Sequence, residues 1–154
     1  MELISHSPAE TESLGETWGR EAQRGLVIAL SGDLGAGKTQ LVRGVARGLG
    51  YPGRVRSPTF ALVNIYEGGR LPLFHLDLYR LESLEAVYRA GMDEYLQPDG
   101  VAVIEWAERL LPASGVPNTQ HATRNTHFAR HTRFVKLEVL DDHRRRITYE
   151  DPRL

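Results

Sequence analysis

Leu26-Val27-Ile28-Ala29-Leu30, followed after Ser31 by Gly32-Asp33-Leu34-Gly35-Ala36-Gly37-Lys38-Thr39, is the stretch whose reading decides the fold. A short, fully apolar run reads as a central parallel strand buried on both faces. The glycines that follow allow tight turning and close backbone approach, so that successive N–H groups can surround phosphates. Lys38 is expected to reach the β and γ phosphates and Thr39 to offer its hydroxyl to Mg²⁺, while the start of the next helix adds the positive end of its dipole. Gly32, Asp33, Leu34, Gly35, Ala36, Gly37, Lys38 and Thr39 are therefore predicted to bind a nucleoside triphosphate with magnesium. A glycine-rich turn without that chemistry would not need a strand before it and a helix after it, and both are indicated here.

The whole chain, 154 residues with 41% hydrophobic and 25% charged content, suits one α/β domain spanning residues 1–154. A formal net charge of −1 argues against coating nucleic acid by bulk electrostatics and leaves room for a local basic patch or an RNA-bearing partner. With no cysteine there is no disulfide, thiol nucleophile or cysteine-held metal. Met1-Glu2-Leu3-Ile4-Ser5-His6 is neither basic nor long and apolar, and no later run approaches membrane-spanning length. A soluble cytoplasmic protein without a signal peptide, monomeric when alone, is expected.

Outward from the glycine-rich stretch, Leu3 and Ile4 open a short strand. Ser7-Pro8 and Thr11 start a helix running to about residue 24, with Leu14 and Trp18 on its core face. Leu41, Val45 and Leu49 recur at helical spacing over 40–49. Residues 60–66 and 71–79 read as a hairpin around Glu67-Gly68-Gly69-Arg70, 83–89 and 92–96 as helices, and 101–104 as a second buried strand. A closing hairpin is predicted from 134–140 and 145–149, an antiparallel edge to the sheet. Residues 112–133, poor in apolar side chains, read as a mobile loop or insertion.

Hydrolysis or transfer of a phosphoryl group needs an acid beside the magnesium and a group that orients the attacking oxygen. Glu105 follows the apolar run 101–104 and falls on the rim where parallel sheets bind ligands. Asp77 shares a strand face with His75 and Tyr79. Either acid can hold the metal or polarise the water; an exposed charge at a strand end and a buried pair with Arg80 are the plain alternatives. Ser57-Pro58-Thr59-Phe60 stands where a segment sensing the γ-phosphate is expected, and Thr59 is a candidate for the magnesium shell, although a strand-entry turn explains the same residues. Trp106 is a candidate for stacking on a partner or base, or a residue of the core margin. His121, His127 and His131 lack a nearby carboxylate and are not expected to bind zinc. Arg124, Arg130, Arg133, Lys136, Arg144, Arg145 and Arg146 concentrate positive charge late in the chain, fit for tRNA, an acidic face or a phosphate.

The glycine-rich segment, Ser57-Pro58-Thr59-Phe60, His75-Leu76-Asp77-Leu78-Tyr79-Arg80 and Ile104-Glu105-Trp106 together closely resemble, in order and spacing, the TsaE family, formerly called YjeE. The resemblance implies a P-loop NTPase-like three-layer sandwich with a mixed, mainly parallel central sheet and antiparallel edge strands. It implies a small bacterial ATPase, using ATP and Mg²⁺, required for the threonylcarbamoyl group on adenosine 37 of tRNAs reading ANN codons. Family members act with TsaD and TsaB, whose complex ATP hydrolysis is thought to reset, while TsaC makes the donor; tRNA is met through the complex. On this resemblance Lys38 and Thr39 serve phosphates and magnesium, Thr59 lies in a switch-like segment, and Asp77 and Glu105 belong to the metal and catalytic shell. Glu10 and Thr11 approach the nucleoside, and Trp106 completes the signature. Residues 112–133 depart from the compact connection expected there.

Two rivals carry weight. A small-metabolite kinase would use Arg124, Arg130 and Arg133 as a lid over transferring phosphates, and a nucleotide-gated binding module would hydrolyse only incidentally.

Overall fold

A computed structural model describes residues 1–33, 35–58, 61–110 and 130–152. Along the chain run β1 (Glu2–Ser5), α1 (Pro8–Glu21), β2 (Val27–Ser31), α2 (Lys38–Gly48), β3 (Val63–Tyr66), β4 (Leu73–Asp77), α3 (Leu84–Arg89), β5 (Val101–Glu105), β6 (Thr132–Val139) and β7 (Arg145–Glu150), with 3-10 turns at Met92–Leu96 and Ala107–Leu110. The strands form one sheet in the order β1-β7-β6-β2-β5-β4-β3. β6, β2, β5 and β4 are mutually parallel; β7 is antiparallel to β6 and β1 to β7, and β3 is antiparallel to β4. The apolar run at 26–30 thus occupies the centre, where a strand covered on both faces has to lie.

Alternation along the central strands divides the core in two. Ile28, Leu30, Val101, Val103, Val135 and Leu137 face α1 and α2, whereas Val27, Ala29, Ala102, Ile104 and Leu76 face α3 and the 3-10 turns. A mixed α/β sheet with helices on either side follows from this period-two pattern.

α1 and α2 meet backbone to backbone. A Cβ on Gly15 would stand 2.3 Å from the Leu41 carbonyl oxygen, and one on Gly44 would stand 2.0 Å from that of Glu12; Gly19 and Gly48 repeat the contact one turn on. Two glycines four residues apart on each helix let the axes approach more closely than side chains permit. Ser7 caps α1 by accepting from Glu10 N at 3.1 Å, with Pro8 at the first helical position.

Several boundaries differ from the sequence expectation, each for a local reason. α1 stops at Glu21 rather than near 24 because Arg70, from the β3–β4 turn, donates to the carbonyls of Gly19, Arg20 and Ala22 at 2.8, 3.1 and 2.9 Å and closes the helix end. β4 stops at Asp77 rather than 79 because Asp77 Oδ1 accepts from Tyr79 N at 2.9 Å, a turn made by the side chain. β3 begins only at Val63, after Leu62 adopts a φ of 63°. Residues 92–96 form a 3-10 turn, and β6 begins at Thr132, so the last two residues of the expected loop at 112–133 are already strand. Residues 112–129 of that expected loop lie outside the described residues.

The glycine contact gives a direct test. Gly44→Ala improves intrinsic helix propensity, yet it forces the two backbones apart, an overpacking cost of about 1–3 kcal/mol. A fall in thermal midpoint of about 3–10 °C by circular dichroism is expected; an unchanged or higher midpoint contradicts the packing described.

Candidate functional site at the ends of the parallel strands

Three strand ends share one rim. Parallel register sets Leu30 of β2 opposite Glu105 of β5, and Glu105 opposite Asp77 of β4. The glycine-rich segment leaves β2 at the same level, and Gly37, with a φ of 97°, forms the left-handed N-cap of α2 that a side chain would strain. The segment is bedded on β6: a Cβ on Gly32 would lie 2.5 Å from the Leu137 carbonyl oxygen. The first two residues of α2, Lys38 and Thr39, are thereby brought over the rim.

Lys38 is buried, its Nζ donating to Gly32 O at 2.5 Å and lying 3.6 Å from the centroid of the Trp106 ring. Burial lowers its proton affinity below the usual lysine value, against the opposing pull of Glu105, Glu108, Asp77 and Asp33, which surround it. Trp106 holds its place with a φ of 59° and packs on Tyr79 with ring centroids 5.0 Å apart. Its ring therefore faces the lysine and belongs to the rim.

Glu105 is 4% exposed, which excludes the reading of a solvent-facing charge. Oε2 pairs with His75 Nε2 at 2.5 Å, and Thr39 Oγ1 approaches Oε1 at 3.5 Å. His75, fully buried on β4, meets the Tyr66 hydroxyl through Nδ1 at 3.2 Å. Asp77 is half-buried; burial raises its proton affinity, the Tyr79 N–H lowers it, and nearby Glu105 raises it further. Glu108 on the following 3-10 turn is likewise raised by burial, and its Oε2 is buried without a hydrogen-bond partner among the described residues.

Sequence reasoning singled out Lys38, Thr39, Asp77 and Glu105, and these converge. It passed over Glu108 and assigned His75 no role, although His75 lies two residues before Asp77 on the same strand face, the signal that could have found it. Thr11 is buried, bonded to Ser5 Oγ at 2.7 Å, and its Cγ2 comes within 3.9 Å of where a Cβ on Gly37 would be. The Glu10 carboxylate accepts from His6 N at 2.6 Å, within the cap of α1. Leu34 and Thr59 lie outside the described residues, as do Arg124, His121 and His127.

The late arginines divide. Arg145 reaches the glycine-rich segment, Nη2 donating to Gly35 O at 3.2 Å. Arg133 sits near the start of β6, at the opposite end of the sheet, where it pairs with Asp151 at 2.7 Å and stacks over Trp18. It cannot close over the rim from there, so the lid imagined for a kinase lacks that arm.

Among the described residues no group of three or more His, Cys, Asp or Glu side chains could hold a metal unaided. Thr39, Glu105 and Asp77 offer only oxygen, the donor set that suits Mg²⁺, an ion commonly held by one or two carboxylates together with phosphates and water. A glycine turn at a helix start, one buried lysine and this oxygen set together fit a magnesium nucleotide.

No helix among the described residues is long and apolar enough to cross a membrane. The family model for "Threonylcarbamoyl adenosine biosynthesis protein TsaE" matches residues 5–135. A "tRNA threonylcarbamoyladenosine biosynthesis protein TsaE" from Treponema pallidum is 41% identical over 148 residues, covering 96% of this chain and 98% of the relative. One of the same name from Synechocystis is 48% identical over 114 residues, 71% of this chain and 72% of the relative. The crystal structure of YdiB from Bacillus subtilis superposes with a TM-score of 0.72 at 30% identity, covering 99% of this chain and 85% of that one. With the family match spanning most of its length, this chain belongs to the TsaE family of tRNA threonylcarbamoyladenosine biosynthesis proteins.

Proposed function

We propose that the chain is a Mg²⁺-dependent ATPase of the P-loop NTPase type. In this reading it serves formation of the threonylcarbamoyl group on adenosine 37 of tRNAs reading ANN codons, working with TsaD and TsaB and resetting their complex between turnovers. The observation that carries the reading is the meeting of Lys38, Thr39, Glu105 and Asp77 on one rim beside the glycine-rich segment, in a chain of this family.

Bound ATP with Mg²⁺ supplies the phosphoanhydride whose cleavage is coupled to the partners. The glycine-rich segment would hold its phosphates, and Lys38, which here donates to the Gly32 carbonyl, would turn to phosphate oxygen. Thr39 would hold the metal, and Glu105 would join it there or order water through Oε1, the oxygen that Thr39 approaches here, since Oε2 is tied to His75. Asp77 would be the second acid of the metal shell. Trp106, under the Lys38 ammonium, would line the phosphate end, and Glu10 and Thr11 would lie toward the nucleoside.

Reconstitution decides the role. With TsaC, TsaD, TsaB and tRNA, repeated rounds of modification are expected only when this chain and ATP are present; equal yield without the chain rejects it. ATP turnover that rises with TsaD and TsaB separates this reading from a module that merely binds nucleotide.

Lys38→Ala removes a charge-assisted contact of about 1.5–3 kcal/mol and is expected to weaken nucleotide binding at least about tenfold. Glu105→Gln is expected to leave binding nearly intact and lower kcat by about 10²–10⁴. Titration calorimetry and phosphate release measure the two effects, and a Glu105→Gln enzyme with full turnover refutes the assignment.

Asp77 also predicts a pH dependence. Its proton affinity is higher folded than unfolded, so its charge opposes folding at neutral pH, and this penalty disappears as pH falls through the folded pKa. Asp77→Asn, which can still accept from Tyr79 N, is expected to be more stable than the parent at pH 7–8, with the gain shrinking toward pH 4. A gain independent of pH, measured by urea unfolding across that range, excludes this cause.

A further inference from the structure

A groove of about 580 Å³ lies between α2 and residues 51–56, away from the strand-end rim, lined among others by Glu12, Arg43, Arg47, Tyr51, Arg54 and Arg56. The charge is not evenly available. Arg47 is paired with Glu12 and, at 3.9 Å, with Glu16, and Arg43 donates only to the neutral Gln40 Oε1 at 3.2 Å. The side chains of Arg54 and Arg56 are exposed and enter no hydrogen bond or ion pair among the described residues. Three guanidinium groups therefore face the groove without a carboxylate, in a chain whose net charge is −1.

The main chain of Arg56 is fixed while its side chain is open. Arg56 N donates to the Tyr66 hydroxyl at 3.0 Å, and Arg56 O accepts from that hydroxyl at 2.8 Å and from Asn64 Nδ2 at 2.9 Å. The same hydroxyl is 3.2 Å from His75 Nδ1, and His75 Nε2 is 2.5 Å from Glu105. A line of hydrogen bonds thus joins the groove to the acid beside Thr39. A phenol has one proton, so Tyr66 can donate to Arg56 O or to His75 Nδ1, never to both. Displacement of Arg56 would release that proton toward the imidazole and change how His75 holds Glu105.

We propose that this groove docks an acidic segment of a protein partner, its Asp and Glu carboxylates meeting Arg43, Arg54 and Arg56, and that the line Arg56–Tyr66–His75–Glu105 carries occupancy of the groove to the rim. Arginine forks match carboxylates two bonds at a time. An extended polyanion such as RNA gains affinity from many phosphate contacts, whereas three guanidinium groups bordered by Glu12 and Glu16 suit a short cluster of carboxylates. The docking half stands by itself; the coupling half rests on the role proposed above for Glu105.

The test uses the full chain and a fluorescein-labelled, Glu-rich synthetic peptide, with an RNA oligonucleotide of equal net charge as competitor class, read by anisotropy. Expected are saturable peptide binding, a loss of at least about tenfold in affinity in the Arg54→Gln/Arg56→Gln double variant, and little loss in an Arg20→Gln/Arg24→Gln control. Basal ATP turnover of the double variant stays at the parent level. Peptide binding changes parental ATP turnover several-fold, and Tyr66→Phe, measured at saturating peptide, loses that response. Tighter binding of RNA than peptide, or equal losses in the two double variants, overturns the docking site. A response surviving in Tyr66→Phe overturns the coupling. Should the parent hydrolyse no ATP under any condition, the ATPase reading fails while anisotropy still decides the groove.

Discussion

The contact on which the arrangement depends is the seam of four glycines between α1 and α2. Gly15 and Gly19 on one helix and Gly44 and Gly48 on the other bring backbone against backbone, with carbonyl oxygens where any Cβ would have to be. Close approach has two consequences at once. Trp18 of α1 is carried down onto the layer formed by Ile28, Leu30 and the apolar face of α2, completing one half of the core. Thr11, one turn before Gly15, is carried up against Gly37, so the start of α1 and the start of α2 frame the same glycine-rich segment. Were these helices held at the usual spacing of 8–10 Å, Thr11 would stand off from the segment and Trp18 would leave a void.

The second constraint is a buried carboxylate. Glu105 ends the apolar strand β5, and removal of a charge from water on that scale is tolerated only with partners in place. His75 supplies one from the neighbouring strand, with Tyr66 behind it, and Thr39 supplies a weaker one from α2. Four elements therefore converge on this carboxyl group, which fixes its orientation before any ligand arrives. Such preorganisation is what an acid acting on water or metal requires, since no binding energy is then needed to aim it.

Much of this was legible in the sequence because it is written in local patterns. The apolar run at 26–30, the glycine spacing and the run at 101–104 each predict their own element, and the rim follows because parallel strands end together. What escaped was long-range. Gly15 and Gly44 are 29 positions apart, and neither GETWG nor GVARG announces its partner, so the seam could not be read. His75 looked like one polar residue on a strand face; only the register pairing β4 with β5 sets it against Glu105. The end of α1 depended on Arg70, about fifty residues away, and the late arginines looked alike until topology sent Arg145 to the glycine-rich segment and Arg133 to the far end of the sheet. Distance along the chain, more than any weakness of the local signals, set the limit.

The balance of charge at the rim connects these constraints with the proposed chemistry. Lys38 is the cation at the centre, and Asp33, Asp77, Glu105 and Glu108 all act on it. Four carboxyl groups about one ammonium make an unfavourable setting for phosphate oxygens, which would be repelled by more negative charge than Lys38 can offset. Burial raises the proton affinity of Asp77 and Glu108, and the same low polarity that makes their isolated charge costly makes a neighbouring cation more favourable. A divalent ion held by those acids would relieve both problems together, satisfying the carboxylates and offsetting their repulsion of the nucleotide. On this argument a requirement for Mg²⁺ in the proposed reaction would come from the acid surplus that the sheet gathers at its rim, whether or not Lys38 alone could reach the phosphates.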